Sequence, residues 1–489
     1  MSAPAIKLRP YQRDLVERLR QSYRGGHRAP LLQLATGGGK THVFAEVARG
    51  AYQRGNTVLV VAHRRELVAQ AGAKLELADV PYGIIAAGSP GGLEHPIQVG
   101  SVQTLARRHN SLPSFALLIF DEAHHCRAAQ WKRLIEAQPG AKLLGVTATP
   151  ARLDGKGLGV NAGGPFDDLI VGPPAAALID GEYLSPARCF VPAQRIDLKG
   201  VHVRAGDYVA AELAAVLDTA GITGDDVDQY RRRANHRTAI AFCALVSHAE
   251  HVAEAFSNAG YRSACVHGGL AKQERDRLIE GLGNGAIEVL TSCDLISEGL
   301  DVPAVGAVIL LRPTKSLVLH RQQIGRGMRP APGKSALIVN DHVGNCIRHG
   351  LPELEPEWSL AGVENRSRAV ASWECPECGC INMQTATECS NCGYVRPGAE
   401  GGGGRREPAA FDGELDQLTL EKLAAAGRLS YREVLAGNLS EAELAAFARH
   451  RGYRSSWVKR QLWQQQNLSP DERLSRHAAW VAEREASSP

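Results

Sequence analysis

Leu31-Leu32-Gln33-Leu34-Ala35-Thr36-Gly37-Gly38-Gly39-Lys40-Thr41-His42-Val43-Phe44-Ala45-Glu46-Val47-Ala48 decides how the chain folds. The first four residues read as a buried strand, and Thr41–Ala48 as a helix. A glycine cluster ending in Lys-Thr between strand and helix is the context of a phosphate-binding loop. Thr36, Gly37, Gly38 and Gly39 would form the cradle, where backbone N–H groups approach phosphates and the helix N-terminus favours negative charge. Lys40 would reach the β/γ-phosphates and the Thr41 hydroxyl would ligate Mg²⁺. Leu34 stands where the general pattern has its first glycine. The alternative is an ordinary glycine turn, and the flanking segments weigh against it.

Downstream, Asp121-Glu122-Ala123-His124 follows the apolar run Leu117-Leu118-Ile119-Phe120. Two carboxylates then sit at the C-terminal edge of a strand, where open α/β sheets place their ligands. Asp121 would hold Mg²⁺, and Glu122 would orient and deprotonate an attacking water. An acidic pair after a strand is more often a helix cap. Here the phosphate loop upstream and His124 reverse that expectation.

A chain of 489 residues exceeds one hydrophobic core, so two large domains and smaller modules are expected. Apolar runs have strand length, none approaches a membrane span, and Met1–Lys7 carries no apolar signal core. A soluble, cytoplasmic protein is the expectation. Net charge is +4 and pI about 8.5, which neither requires nor excludes nucleic acid. Cys126, Cys189, Cys243, Cys265, Cys293, Cys346 and Cys380 lack paired spacing and read as scattered reduced thiols.

Strands at Leu31–Leu34, Val58–Ala62, Ile97–Gly100, Leu117–Phe120 and Leu143–Val146 alternate with helices, as do those at Thr238–Cys243, Ala264–His267, Glu288–Thr291, Val305–Leu311 and Ala336–Asn340. Near-continuous apolar strands fit parallel sheets covered on both faces. The expected order is a first α/β domain over 1–190, a connecting helical segment over 191–236 and a second α/β domain over 237–350. A cysteine module follows over 370–397, then a Gly-rich linker over 398–410 and a helical module over 411–489. The Gly/Pro-rich stretch Gly155–Pro174 reads as a surface excursion. Ser430-Tyr431-Arg432-Glu433 and Ser440-Glu441-Ala442-Glu443 are capping boxes that start helices, the second ending at Gly452.

Cys375-Pro-Glu-Cys378-Gly and Cys389-Ser-Asn-Cys392-Gly form two knuckles. Two residues between thiolates bring both sulfurs to one metal, so these four cysteines are expected to close a tetrahedral structural Zn²⁺ site. Such a ribbon is expected to fold as its own cooperative unit, with Cys380 a spare competitor. In the tail, Arg449, Arg451, Arg454, Lys459 and Arg460 interleave with Tyr453, Trp457 and Trp463. That pattern suits single-stranded nucleic acid, or equally a helical hairpin with aromatics inside and cations in solvent.

Over residues 8–345 the chain resembles the superfamily 2 helicases and translocases, which implies two tandem RecA-like domains hydrolysing ATP between them. Arg9-Pro10-Tyr11-Gln12 resembles the adenine-reading segment, with Arg9 and Gln12 on the nucleotide. Val61-Ala62-His63-Arg64-Arg65-Glu66-Leu67 and Gly100-Ser101-Val102-Gln103-Thr104 resemble motifs lining the nucleic-acid track, implying contacts from His63, Arg64, Gln103 and Thr104. Thr147-Ala148-Thr149 resembles the segment that, with His124, couples hydrolysis to domain closure. In the second domain, Thr291–Pro303 resembles the motif touching both strand and nucleotide, with Thr291 on nucleic acid and Gly299 and Asp301 on nucleotide. Gln322-Gln323-Ile324-Gly325-Arg326-Gly327-Met328-Arg329 resembles the motif that presents Arg326 and Arg329 to the γ-phosphate across the cleft, which implies a catalytic role for them and for Gln322. The resemblance is nearest to RadD-type bacterial DNA-repair ATPases and their phage-borne relatives. Thr-Ala-Thr, Asp-Glu-Ala-His and Gln-Gln-Ile-Gly-Arg look more like the DNA branch than the RNA branch. It therefore implies single-stranded or branched DNA as partner, together with a repair or single-strand-binding protein. An RNA helicase, or an ATP-gated DNA-binding accessory that does not unwind, are the alternatives.

Overall fold

The computed structural model describes residues 7–396 and 429–476, apart from 64, 87–92, 127, 153, 192–197, 199, 205, 210–211, 214–215, 217–221, 294–301, 363–371, 430 and 452–454. By backbone contacts the chain divides into Met1–Glu400 and Gly401–Pro489.

The first sheet has seven strands: β1 (Pro30–Gln33), β2 (Val58–Ala62), β3 (Tyr82–Ile85), β4 (Ile97–Ser101), β5 (Leu117–Asp121), β6 (Lys142–Thr147) and β7 (Asp168–Val171). Their order is β3-β4-β2-β5-β6-β1-β7, every neighbour parallel. Every residue of β1, β2, β4 and β5 is buried, which is why these strands read as continuous apolar runs rather than alternating ones. Helix α1 (Pro10–Arg24) buries Leu15, Val16 and Leu19 on one face, and α2 (Lys40–Tyr52) buries Val43, Phe44 and Ala48 on the same layer. Trp131, Phe120 and Phe166 fill the opposite face, with Phe120 edge-on to Trp131. Strands β3 and β7 escaped the sequence reading.

The second sheet contains β8 (Ala187–Phe190), β11 (Ala239–Cys243), β12 (Ser263–Val266), β13 (Val289–Cys293), β14 (Ala307–Leu310), β15 (Leu337–Asp341), β16 (Ser372–Glu374) and β17 (Cys380–Met383). Their order is β12-β13-β11-β14-β15-β8-β17-β16. Strand β8 corrects the expected boundary at 190: it pairs in parallel with β15, Cys189 opposite Val339, and so belongs to the second sheet. Strands β9 (Val203–Arg204) and β10 (Asp207–Tyr208) pair antiparallel where only a helical connection was expected. Asp207 fastens this pair to the second domain by accepting from Lys315 N (2.8 Å) and Arg312 Nη2 (3.4 Å). The helix Ile222–Ala234 completes the connection.

The cysteine module is not a separate appendage. Strand β17 adds antiparallel to β8, Cys380 opposite Phe190 and Ile381 opposite Cys189, so the ribbon extends the second sheet. Cys380 is wholly buried in the core cluster of the second domain that also holds Tyr230 and Phe256, which explains its presence without a metal.

After the second domain the chain returns to the first. Glu355 Oε1 accepts from Ala175 N (3.2 Å), Leu360 O accepts from Gly159 N (2.9 Å), and Gly362 bridges to Lys156. Leu360 packs against the Trp131 and Phe166 side of the first core. A Cβ on Gly157 would lie 2.0 Å from Leu360 O, so only glycine lets this strap lie flat. The Gly-rich stretch after Thr149 is therefore a seat for the strap, not a free excursion.

In Gly401–Pro489, helices Tyr431–Ala436, Glu441–Arg451 and Ser455–Asn467 bury Val434, Leu444, Phe447 and Val458 together. The Ser440 capping box is formed in both directions, Ser440 N to Glu443 Oε2 (2.8 Å) and Glu443 N to Ser440 Oγ (3.3 Å). A third box closes between Ser469 and Glu472, with Pro470 at the first helical position. Ser430, Gly452, Tyr453, Arg454, the linker and the side chains of Arg449, Arg451, Trp457, Lys459, Arg460 and Trp463 lie outside the described residues. Among the described residues no helix is long and apolar enough to cross a membrane.

Candidate active site between the two sheets

The phosphate loop leaves β1 and enters α2, whose N-terminal residue is Lys40. Gly37 and Gly39 both have positive φ, +86° and +85°, turning the backbone into a concave cradle. The loop is braced from α1: Tyr11 Oη donates to Gly38 O (2.8 Å), as does Gln12 Nε2 (3.1 Å). Gln12 Oε1 also accepts from Arg9 N (3.0 Å), and the Arg9 guanidinium lies 4.7 Å from the Tyr183 ring centre. The Arg9–Gln12 segment is thus docked on the loop, with the Gln12 amide engaged at both ends.

Lys40, Thr41, Asp121, Glu122, Arg326 and Arg329 line one cleft of about 330 Å³, with Pro303 contributing from the second domain. Burial pushes the Lys40 ammonium down, against the pull of Glu122 and Asp121. Burial, then Glu122, pushes the Asp121 carboxyl up to about 7. Phosphates beside Lys40 and a divalent cation beside Asp121 would each oppose these shifts, so the charge pattern suits both. One buried carboxylate at a strand end with a hydroxyl at a helix start is the donor set Mg²⁺ takes beside a phosphate. Arg329 is lowered by burial alone.

A line of close polar contacts runs from this cleft across the domains. Glu122 Oε2 lies 3.4 Å from His124 Nδ1, which is 3.2 Å from Thr147 Oγ1. Thr147 Oγ1 donates to Thr149 O (3.1 Å) and accepts from Thr149 N (3.2 Å). On the other ring edge, His124 Nε2 is 3.3 Å from Gln322 Nε2 of the second domain. With Gln322 donating, His124 carries its proton on Nδ1 and donates to Thr147. The cleft is tight where Gly325 passes Thr36: a Cβ there would meet Thr36 Cβ at 2.4 Å.

The ring of His125, which no motif singles out, stacks on His63 with centroids 4.4 Å apart and lies tilted by 41° against His124 at 4.1 Å. Gln103 Nε2 donates to His63 O (2.9 Å), joining the two expected track segments, and Ser101 Oγ donates to Thr104 Oγ1 (3.0 Å). Only the doubled histidine after Asp-Glu-Ala could have signalled this stack. Thr291 is a correction. It is fully buried in β13 and its hydroxyl donates to Ala249 O (2.6 Å), so its side chain pegs a helix to the sheet instead of facing a track. Arg64, Gly299 and Asp301 lie outside the described residues.

The sulfurs of Cys375, Cys378, Cys389 and Cys392 all lie within 4.8 Å of one another. Cys375–Cys392 and Cys378–Cys389 are 3.5 and 3.6 Å apart. Tetrahedral Zn–S bonds of about 2.3 Å require sulfur separations of about 3.8 Å. The quartet fits zinc.

Two parallel-sheet domains with a phosphate loop on one and arginines from the other define a two-domain nucleotide-hydrolysing motor. Residues 5–152 match the family described as type III restriction enzyme, res subunit, and residues 224–331 the helicase conserved C-terminal domain. A "51.5 kDa protein" of a Lactococcus phage (isolate 7-9) is 31% identical over 398 residues, 80% of this chain and 83% of that one. A Saccharomyces cerevisiae protein assigned as the ATP-dependent helicase IRC3 is 30% identical over 364 residues, 70% of this chain but 52% of its own length. Among solved structures, a fragment assigned as an HsdR subunit of a type I restriction enzyme from Vibrio vulnificus YJ016 shares the fold at TM-score 0.57 and 21% identity, covering 74% of this chain and 68% of that one. The chain belongs to the superfamily 2 helicases and is an ATP-hydrolysing enzyme of that class.

Proposed function

We propose that the protein is a DNA-stimulated ATPase that moves along or separates strands in repair or recombination, of the RadD type. The observation that carries the coupling is the chain Glu122–His124–Gln322, which joins the carboxylate at the hydrolytic cleft to the arginine-bearing helix of the other domain. Lys40 and the loop amides hold the phosphates of ATP. Thr41 and Asp121 hold Mg²⁺, which when bound offsets charge on the β- and γ-phosphates. Glu122 orients the water and takes its proton. Arg326 and Arg329 face the developing charge from the second domain, a contribution of roughly 10³–10⁵ in rate for such arginines. Because half the site comes from each domain, hydrolysis and closure are one event, and a strand held across both domains is stepped by each cycle.

DNA is favoured over RNA by the Thr147-Ala148-Thr149, Asp121-Glu122-Ala123-His124 and Gln322–Arg326 segments, and by a fold shared with an LlaBIII restriction-modification enzyme described as bound to DNA. His63, Gln103 and Thr104 offer the first domain's side of the track, and the tail's cations and aromatics a second contact. The zinc ribbon braces the second sheet. ATP hydrolysis by the purified chain, measured with single-stranded DNA, branched DNA and RNA of matched length, tests the reading. Stimulation by DNA is expected, and stimulation by RNA alone overturns the substrate. Strand displacement at saturating ATP distinguishes a helicase from a clamp.

A further inference from the structure

Beyond the arginine helix the chain reads Arg326-Gly327-Met328-Arg329-Pro330-Ala331-Pro332-Gly333-Lys334 before it enters β15. Its two prolines have no N–H to give a ladder. Gly327 lies just past the end of the helix Leu317–Gly325, where carbonyls have no intrahelical partner and a cation is favoured. Lys334 folds back into this gap. Its ammonium donates to Val305 O (2.6 Å), to Arg329 O (2.8 Å) and to Gly327 O, so three donors meet three acceptors. Val305 precedes β14, whereas Gly327 and Arg329 flank the turn carrying the guanidiniums. From the first domain's exit, Ser185 N donates to Met328 O (2.7 Å) and Ser185 Oγ to Arg329 O (3.4 Å).

We propose that Lys334 is the positioning residue of the arginine pair: its ammonium ties the backbone of the Arg326–Arg329 turn to the segment entering β14, and so sets where the guanidiniums stand in the cleft. A compact charge with three rotatable donors suits this task, because the three carbonyls converge on one point. Lys334 reaches no phosphate itself and acts only through the turn.

The tie has a pH dependence. Burial, then the nearby cations Arg237 of the segment before β11 and Arg329 of the turn, lowers the Lys334 ammonium to about 8. As pH rises through that value the side chain loses a donor and its charge, and the turn loosens. Lys40 is lowered by burial too, but bound phosphates oppose that shift, so the loss of the tie is read in kcat at saturating ATP.

This inference rests on Arg329 facing the γ-phosphate, and the test separates the two. Steady-state hydrolysis by the full chain is compared for the native protein, K334M, K334R and R329A across neutral to alkaline pH. K334M should lower kcat roughly tenfold to a hundredfold, the scale of a catalytic group displaced by an ångström, with KM for ATP within about twofold. The native protein should lose kcat above about pH 8, and K334R, at whatever kcat its planar head allows, should lack that alkaline fall, since guanidinium stays charged. Wild-type kcat in K334M, or an unchanged alkaline fall in K334R, overturns the proposal. If R329A keeps full turnover, the reading of Arg329 fails; if R329A is inactive and K334M is not, only the role of Lys334 fails. Should K334M unfold, K334R still carries the pH readout.

Discussion

At Glu122 the backbone adopts φ 51°, ψ 52°, left-handed for a residue with a side chain. Such a conformation costs on the order of 1–3 kcal/mol and persists where the surroundings over-determine it. Here Asp121 Oδ1 accepts from Glu122 N (3.0 Å), and the twist brings the Glu122 carboxylate back over the loop toward Lys40. Glu122→Gln keeps the shape and removes the base. ATP should bind as before, while single-turnover hydrolysis falls by about 10²–10⁴, the usual range for a general base. Native-rate turnover in that variant would remove Glu122 from its role. That Lys40, Asp121 and Glu122 share one cleft was legible because each stands at a strand end or a helix start, marked by adjacent residues. His125 between His63 and His124 was not, since stacking joins segments some sixty residues apart. Thr291 was misread for a third reason. A motif names a segment, but in a strand buried on both faces it does not say which side chains point into the sheet's packing.

The elements themselves were largely visible, since parallel strands covered on both sides have to be apolar throughout. What escaped was pairing at the edges. Strand β3 has every second residue only partly buried, and β7 is an edge strand with three of its four residues partly buried, so neither announces itself as a buried run. Strand β17 could be seen as half of a cysteine knuckle, yet nothing in Cys380-Ile381-Asn382-Met383 says that β8 will accept it. That pairing changes what metal removal does. Chelating zinc, or Cys375→Ser, should loosen β17 and expose the β8 edge, so destabilisation spreads into the second domain instead of stopping at the ribbon. Hydrogen exchange read at Ala187–Phe190 and Leu337–Asp341 checks this. Unchanged protection there, with the ribbon unfolded, would restore the picture of an independent module.

On the scale of the whole motor, closure has to move two sheets that are connected more than once. The chain passes from β7 to β8 to enter the second domain, and the strap at 355–362 passes back to lie along Lys156–Gly159. The smallest fragment able to work as a motor therefore does not stop where the second sheet is complete. Cut after residue 350, the first domain would lose Leu360 from its core and leave the Gly155–Gly159 seat open to water, and β8 would become a bare edge. Such a fragment should melt lower and hydrolyse ATP poorly even though every residue of the cleft is retained. One ending at 396 should behave as the full chain does in nucleotide turnover, and thermal unfolding and ATPase rates of the two fragments decide it. The useful boundary for excision, grafting or exchange of this engine thus falls beyond the ribbon, at 396 and not just after Arg329, the last arginine of the cleft.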